Sequence, residues 1–207
     1  MKKYLGLLLF CTFLLLSGCS DREEAFGELS KEGIAPYELS ENQQQLLESF
    51  GMADTSKLIA FSAPKETVTV EVNAYRLSDA GIWEQIGNGA MSADIEGESV
   101  SQLAGTIAIE LEDDYKIDFH INCSGQGSFS TEEIVLDEEP MGSVKGYLEE
   151  FQTIELNEEI PIAVMVYDSG TSMRSYVPQD YYEPSVFKGM DLVQVVTVEF
   201  SDKGIGE

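Results

Sequence analysis

From Lys57 onward, polar and apolar positions alternate with a period of two. In "TVTVEVNAYRL" Val68, Val70, Val72 and Ala74 stand against Thr69, Glu71, Asn73 and Tyr75. Successive side chains on a strand point to opposite faces, so this pattern predicts a strand with one buried face. The segments "KLIAF", "GIWEQI", "GTIAIEL", "YKIDFHINC", "EEIVL", "FQTIEL", "IPIAVMVYD" and "DLVQVVTVEF" share that character, separated by Gly, Asp, Asn and Ser. About nine or ten short strands of this spacing predict a mainly β fold, a two-sheet antiparallel β-sandwich. "IPIAVMVY" and "LVQVVTV" are apolar on nearly both parities, which predicts central strands covered on both sides. No repeat or interior linker divides the chain, so residues 40–207 read as one domain.

Helical spacing is confined to short stretches. "SENQQQLLESFG" offers Ser40 as N-cap, Gln43 at the capping-box position and Gly51 as terminator. Leu46, Leu47 and Phe50 then share a face, which predicts a short N-terminal helix docked through that stripe. Two interspersed helices are predicted as well. In "SVKGYLEEF" Val144, Tyr147, Leu148 and Phe151 share a helical face, and "EPSVFKGM" suits one or two turns.

Parity also predicts two hairpins. In "GTIAIELEDDYKIDFHINC" the odd residues from Ile107 to Ile121 are the apolar set, so the loop must hold an odd number of residues. A loop of Glu112, Asp113 and Asp114 pairs residues 105–111 with 115–121 and sets Glu110 opposite Lys116. In "RLSDAGIWEQI" a turn on Asp79-Ala80-Gly81 pairs Leu77 with Trp83 and Arg76 with Glu84.

The first residues follow another pattern. Lys2 and Lys3 precede an apolar run from Leu5 to Leu16. That run is well short of the ~20 residues needed to cross a bilayer as a helix, so it reads as the core of a signal peptide over residues 1–18. "LSGC", Leu16 to Cys19, resembles the lipobox of bacterial lipoproteins. The resemblance implies a diacylglyceryl group on the Cys19 thiol, cleavage before Cys19, and an extracytoplasmic protein held to the cell membrane by that lipid. Residues 19–39 then read as a lipidated acidic tether; if flexible, 20–38 spans on the order of 25 Å. The layout as a whole also resembles small surface lipoproteins of Gram-positive bacteria, a likeness that brings no activity with it.

Charge and cysteine content narrow the partners. The chain holds 12 Lys and Arg against 38 Asp and Glu. Without Lys2 and Lys3 the balance is 10 against 38, a side-chain charge of −28. Nucleic-acid binding rests on basic residues that neutralise phosphates, so no nucleic-acid partner is expected. Anionic headgroups would repel the body, leaving the lipid as its membrane contact. Of three cysteines, Cys11 leaves with the signal peptide and Cys19 is lipidated, so Cys123 stands alone and stability must come from packing.

Each catalytic pattern meets a geometric objection. His120, the one histidine, lies three residues before Cys123, but three residues along a strand means opposite faces. The expectation is an exposed imidazole and a largely buried thiol, neither a thiol–base pair nor a zinc site. "SVFK", Ser185 to Lys188, matches the S-x-x-K of penicillin-binding proteins without that family's other elements. Acidic loops in "ELEDDYKID" and "LDEEP" lack an EF-hand pattern and read as solvated. The prediction is a non-enzyme with no cofactor or metal; a hydrolase using paired carboxylates is the weaker option.

Aromatic residues give the remaining lead. Trp83, the one tryptophan, would share a face with Tyr75 and Leu77, away from Val70 and Val72. Tyr176, Tyr181 and Tyr182 lie in the Pro-bounded "SYVPQDYYEP". These five aromatics resemble a carbohydrate-binding platform and form the candidate site for a glycan, peptide or protein partner. In the competing reading the 41–50 helix covers Trp83, the tyrosines close an end of the fold, and the protein is a structural or assembly accessory of the envelope without a small ligand.

Overall fold

A computed structural model of the chain describes residues 29–92, 102–170 and 174–206. The signal segment, Cys19 and the first part of the expected tether lie outside the described residues. Among the described residues the fold is mainly β, with ten strands in two antiparallel five-stranded sheets, one helix and two 3₁₀ turns.

The first sheet joins β1 (Gly33–Pro36), β2 (Ser56–Ser62), β5 (Ala104–Leu111), β6 (Ile117–Asn122) and β7 (Gln126–Ser130), in that spatial order. The second runs β4 (Trp83–Ser92), β3 (Thr69–Leu77), β10 (Leu192–Ser201), β9 (Glu159–Asp168) and β8 (Gly142–Tyr147). Their apolar faces contribute to one buried cluster, in which Phe61 of β2 meets Phe200 of β10 with ring centroids 5.3 Å apart. β4 and β7 also meet directly, where a Cβ on Gly89 would land on the Phe129 ring. As their dual-parity apolar pattern predicts, β9 and β10 each pair on both edges and are buried along nearly their whole length. The odd residues Val193 and Val195 lie in a second buried cluster on the other side of this sheet.

Several local expectations change. Strand pairing begins inside the expected tether: β1 pairs with β2 and sinks Ile34 to zero exposure, so the ordered chain starts ahead of Ser40. Residues 142–147 are strand β8 rather than helix. Gly146 lies so close to the Tyr176 carbonyl oxygen that a side chain there would collide with it. β7 was not anticipated, because "QGSFS" carries one large apolar residue, Phe129. "EEIVL" forms no strand: Ile134 and Leu136 pack on the core while Val135 is 84% exposed. "FQTIEL" contributes a single bridge, Gln152 to Ile34.

Helix α1 covers Glu41–Ser49 with a full capping box between Ser40 and Gln43. Its apolar stripe does not dock, since Leu46 is 57% and Phe50 70% exposed and no residue of the helix is buried.

The β5–β6 hairpin keeps the expected parity and shifts by one position on each strand. Leu111 pairs with Ile117 and Glu110 opposes Asp118, not Lys116. Tyr115 takes the left-handed conformation (φ 62°), leaving Asp113, Asp114 and Tyr115 as the loop, closed by the Glu112 N–H to the Lys116 carbonyl at 3.0 Å. An αL residue closes such a loop, and the Tyr115 ring then meets Tyr167 edge-on, centroids 4.9 Å apart. Lys116 bridges its own-strand neighbour Asp118 at 3.4 Å.

Candidate functional site

The β3–β4 hairpin forms in the predicted register, Leu77 opposite Trp83 and Arg76 opposite Glu84, the latter an ion pair of 3.2 Å. Gly81, at φ 74°, supplies the left-handed turn residue, and its N–H donates to the Ser78 carbonyl at 2.8 Å. This register sets Trp83, Tyr75 and Leu77 on the outer face of the second sheet, opposite Val70 and Val72 in the shared core.

What covers Trp83 is the connection from β9 to β10. Its 3₁₀ turns, Pro178–Tyr182 and Pro184–Phe187, each begin at a proline, which is tolerated only at a helix start and restricts the residue before it. The Val177 N–H donates to the Asp180 carboxylate at 3.0 Å, capping the first turn. Phe187 and Tyr176 are thereby buried against Val164, Val166, Val193 and Val195.

The five candidate aromatics separate into different roles. Tyr176 is 5% exposed and stacks on Phe187, so it belongs to the interior and offers no surface to a ligand. Trp83, Tyr75 and Tyr181 are half-buried. The indole stacks on Tyr181 at 5.3 Å and donates its N–H to the Tyr181 carbonyl at 3.0 Å. Tyr75 and Tyr181 donate their hydroxyls to opposite oxygens of Glu159, at 2.5 and 2.6 Å. Tyr182, 64% exposed, donates to the Glu159 carbonyl at 2.8 Å. Four candidates therefore gather around Glu159, their polar tips satisfied internally, and Tyr182 alone shows most of its ring to solvent.

Electrostatics follow from this knot. Burial first, then the hydrogen bond to Glu159 and its charge, push the Tyr75 and Tyr181 hydroxyls far above their ordinary value. Burial, then Glu159 and Glu158, raises Tyr182. Glu159 also stands opposite Glu199, which stands opposite Glu71, a row of three carboxylates on adjacent strands. Burial, then Glu71 and Glu159, raises the Glu199 pKa, with Lys203 acting in the other direction.

Beside the aromatic knot, the β3–β4 turn and the segment 182–193 enclose an open groove of about 740 Å³. The half-buried Leu77 and Met190 and the exposed Tyr182 ring give it apolar surface, over Phe187, Leu192 and Val193, which are buried. Among the described residues, the side chains of Asp79, Glu183, Ser185 and Lys188 line this groove without a hydrogen bond or ion pair to any other group. The groove volume falls in the roughly 300–1,000 Å³ range of ligand sites. Sequence reading missed it because Asp79 and Lys188 are brought together only by the fold. The one available sign was "SVFK", whose Ser185 and Lys188 both line it.

The other candidate chemistries stay apart. His120 is half-buried rather than exposed, and its Nδ1 shares a hydrogen bond with Ser128 at 2.8 Å. Cys123 is half-buried rather than largely buried, because it sits in the turn after β6, its N–H bonded to the Gly125 carbonyl at 2.9 Å. Among the described residues, no group of three or more His, Cys, Asp or Glu is arranged to hold a metal ion. No described helix is long and apolar enough to cross a membrane. Comparisons with protein-family models, curated proteins and solved structures return no match, so no enzyme family or homologue is found.

Proposed function

We propose that this chain is a lipid-anchored extracytoplasmic binding module, a β-sandwich tethered through a diacylglyceryl group on Cys19, that holds a glycan, peptide or protein partner without catalysing a reaction. The observation that carries this reading is the groove between the β3–β4 turn and residues 182–193, with an apolar surface and four exposed polar side chains that no contact among the described residues uses. The four side chains are exposed and therefore open to a ligand, whereas the Tyr75–Tyr181–Glu159 knot beside them is satisfied internally. The loop-borne position agrees, since binding residues concentrate on loops held by a rigid scaffold.

The test uses full-length protein in detergent micelles, screened against envelope fractions and a neutral glycan panel. Binding lost on Tyr182→Ala in a protein that stays folded, its melting temperature lowered by only about 2–4 °C as the bond to the Glu159 carbonyl goes, supports the reading; a protein that retains no component of any fraction refutes it. Cys19→Ala should release the protein from membranes. If that variant stays membrane-bound with an uncleaved leader, the anchor is wrong. The internal satisfaction of Trp83, Tyr75 and Tyr181 favours a second reading, a structural accessory of the envelope without a small ligand.

A further inference from the structure

The groove's chemistry narrows what it would hold, and this inference rests on the binding-module reading. We infer that its occupant is a short apolar peptide segment carrying a single basic side chain. Its accessible apolar surface comes from the flexible, unbranched or aliphatic side chains of Met190 and Leu77 beside the Tyr182 ring, while Phe187, Leu192 and Val193 are buried. Such a surface suits leucine- or phenylalanine-like side chains. A sugar ring would instead seek an exposed aromatic face, and only Tyr182 provides one here.

Charge selects further. Asp79 on the turn and Glu183 between the two 3₁₀ turns are exposed carboxylates without a cation. Asp191, also in the lining, is occupied at Oδ2 by the Ser169 N–H and hydroxyl at 2.6 and 2.7 Å. The lining is thus net negative, on a chain of formal charge −26, and both draw a cation to the site. Lys188 sets the limit: as the one cation of the lining among the described residues, it repels a second positive group on the ligand. Polyanions are excluded by the same balance.

Trp83 makes a built-in reporter, since it is the only tryptophan and its ring meets Phe187 of the groove lining at 5.9 Å. The experiment titrates full-length protein in micelles with four capped pentapeptides of leucine and phenylalanine carrying Lys, Gln, Glu or two Lys, and with an N-acetylglucosamine tetramer, by Trp83 emission and calorimetry. The single-Lys peptide should bind about two- to fivefold more tightly than its Gln counterpart, with the Glu peptide weaker still, and salt should erode the advantage. Combined Asp79→Asn and Glu183→Gln should remove that difference at an unchanged melting temperature, because neither side chain has a partner among the described residues. Lys188→Ala should strengthen binding of the two-Lys peptide. Equal binding of the Lys and Gln peptides, or an unchanged preference in the double variant, overturns the inference. Binding of the tetramer without the peptides overturns the peptide class while leaving the binding-module reading intact. No heat or emission change with any probe overturns it as well, and the envelope screen then decides the wider reading on its own.

Discussion

Removing the Glu159 carboxylate should loosen the whole covering of the second sheet. Glu159 accepts the Tyr75 and Tyr181 hydroxyls at 2.5 and 2.6 Å, and Tyr181 in turn holds the Trp83 indole. A hydrogen bond to a charged group contributes about 1.5–3 kcal/mol net when buried. These three side chains are half-buried, so about 1 kcal/mol each is the fitting value, giving about 2 kcal/mol for Glu159→Ala. For a domain of this size, 1 kcal/mol shifts the melting temperature by about 2–4 °C, so the expected drop is about 4–8 °C. Glu159→Gln keeps one acceptor and turns the other position into an amide donor, so it should lose about half as much. Calorimetric melting should rank wild type above Gln above Ala, and Trp83 emission should shift to the red in Ala as the Tyr181 ring leaves it. Adding Tyr181→Phe should cost much less in the Ala background than in wild type, because both changes delete the same bond. A Glu159→Ala protein that melts within about 1 °C of wild type with unchanged emission would refute the anchoring role.

Further outcomes follow from the same contacts. Burial raises Tyr147 to about 12, and burial followed by the Tyr147 and Tyr115 charges raises Tyr167 to about 12. Unfolded tyrosines ionise near pH ~10, so the folded state holds more protons above that pH. Tyrosine-linked stability is therefore full below pH ~10 and falls above it by up to ~1.4 kcal/mol per pH unit per group until folded values near 12 are passed; flat urea midpoints through that window would contradict the burial. Glu199→Gln should raise stability by about 0.5–1 kcal/mol by relieving the carboxylate row, an effect that salt should diminish; a lower melting temperature would argue against repulsion there. Gly89→Ala should cost about 1–3 kcal/mol, since its methyl collides with the Phe129 ring between the sheets, and an unchanged urea midpoint would mean that β4 and β7 do not meet there.

What was legible in the sequence is what short-range chemistry decides. The β3–β4 hairpin could be registered next to its turn because Gly81 supplies the one left-handed residue the turn needs and Leu77 and Trp83 flank it; the register shifts only further along, between Ala74 and Tyr75. At the β5–β6 hairpin the same reasoning placed Tyr115 in the strand as an apolar residue. Its partner is Tyr167, fifty-two positions away, and that contact accompanies a left-handed turn instead. Parity survived the shift, so the buried faces were right although the opposed pairs were not. "SVKGYLEEF", residues 143–151, carries a helical apolar spacing, yet its first half is strand, and Gly146 answers to the Tyr176 carbonyl passing over it. Glu159 illustrates the same limit at the site: as one of 38 acids it carries no signal until the fold brings two tyrosines onto it.

The β9–β10 connection ties these points together. β9 and β10 are adjacent antiparallel strands whose ends pair directly, Tyr167 opposite Leu192, a geometry that a loop of about two to five residues can close. The chain instead runs from Ser169 through Asp191, with two 3₁₀ turns, before β10 begins. Val164, Val166, Val193 and Val195 explain part of that length, because an apolar outer face needs a cover. The cover could have ended once Tyr176 and Phe187 were seated. Its remaining residues, Lys188 to Asp191, instead run beside the β3–β4 turn and help to enclose the groove. Long connections inside compact domains are usually functional, and this one spends its surplus on the concave surface where polar side chains lack internal partners. Structural cover and candidate binding surface are therefore one segment, anchored at Glu159 and open at Lys188. A ligand in the groove would lie against Tyr182, whose ring packs on Tyr181 and through it on Trp83, so binding and stability of the outer face should rise together.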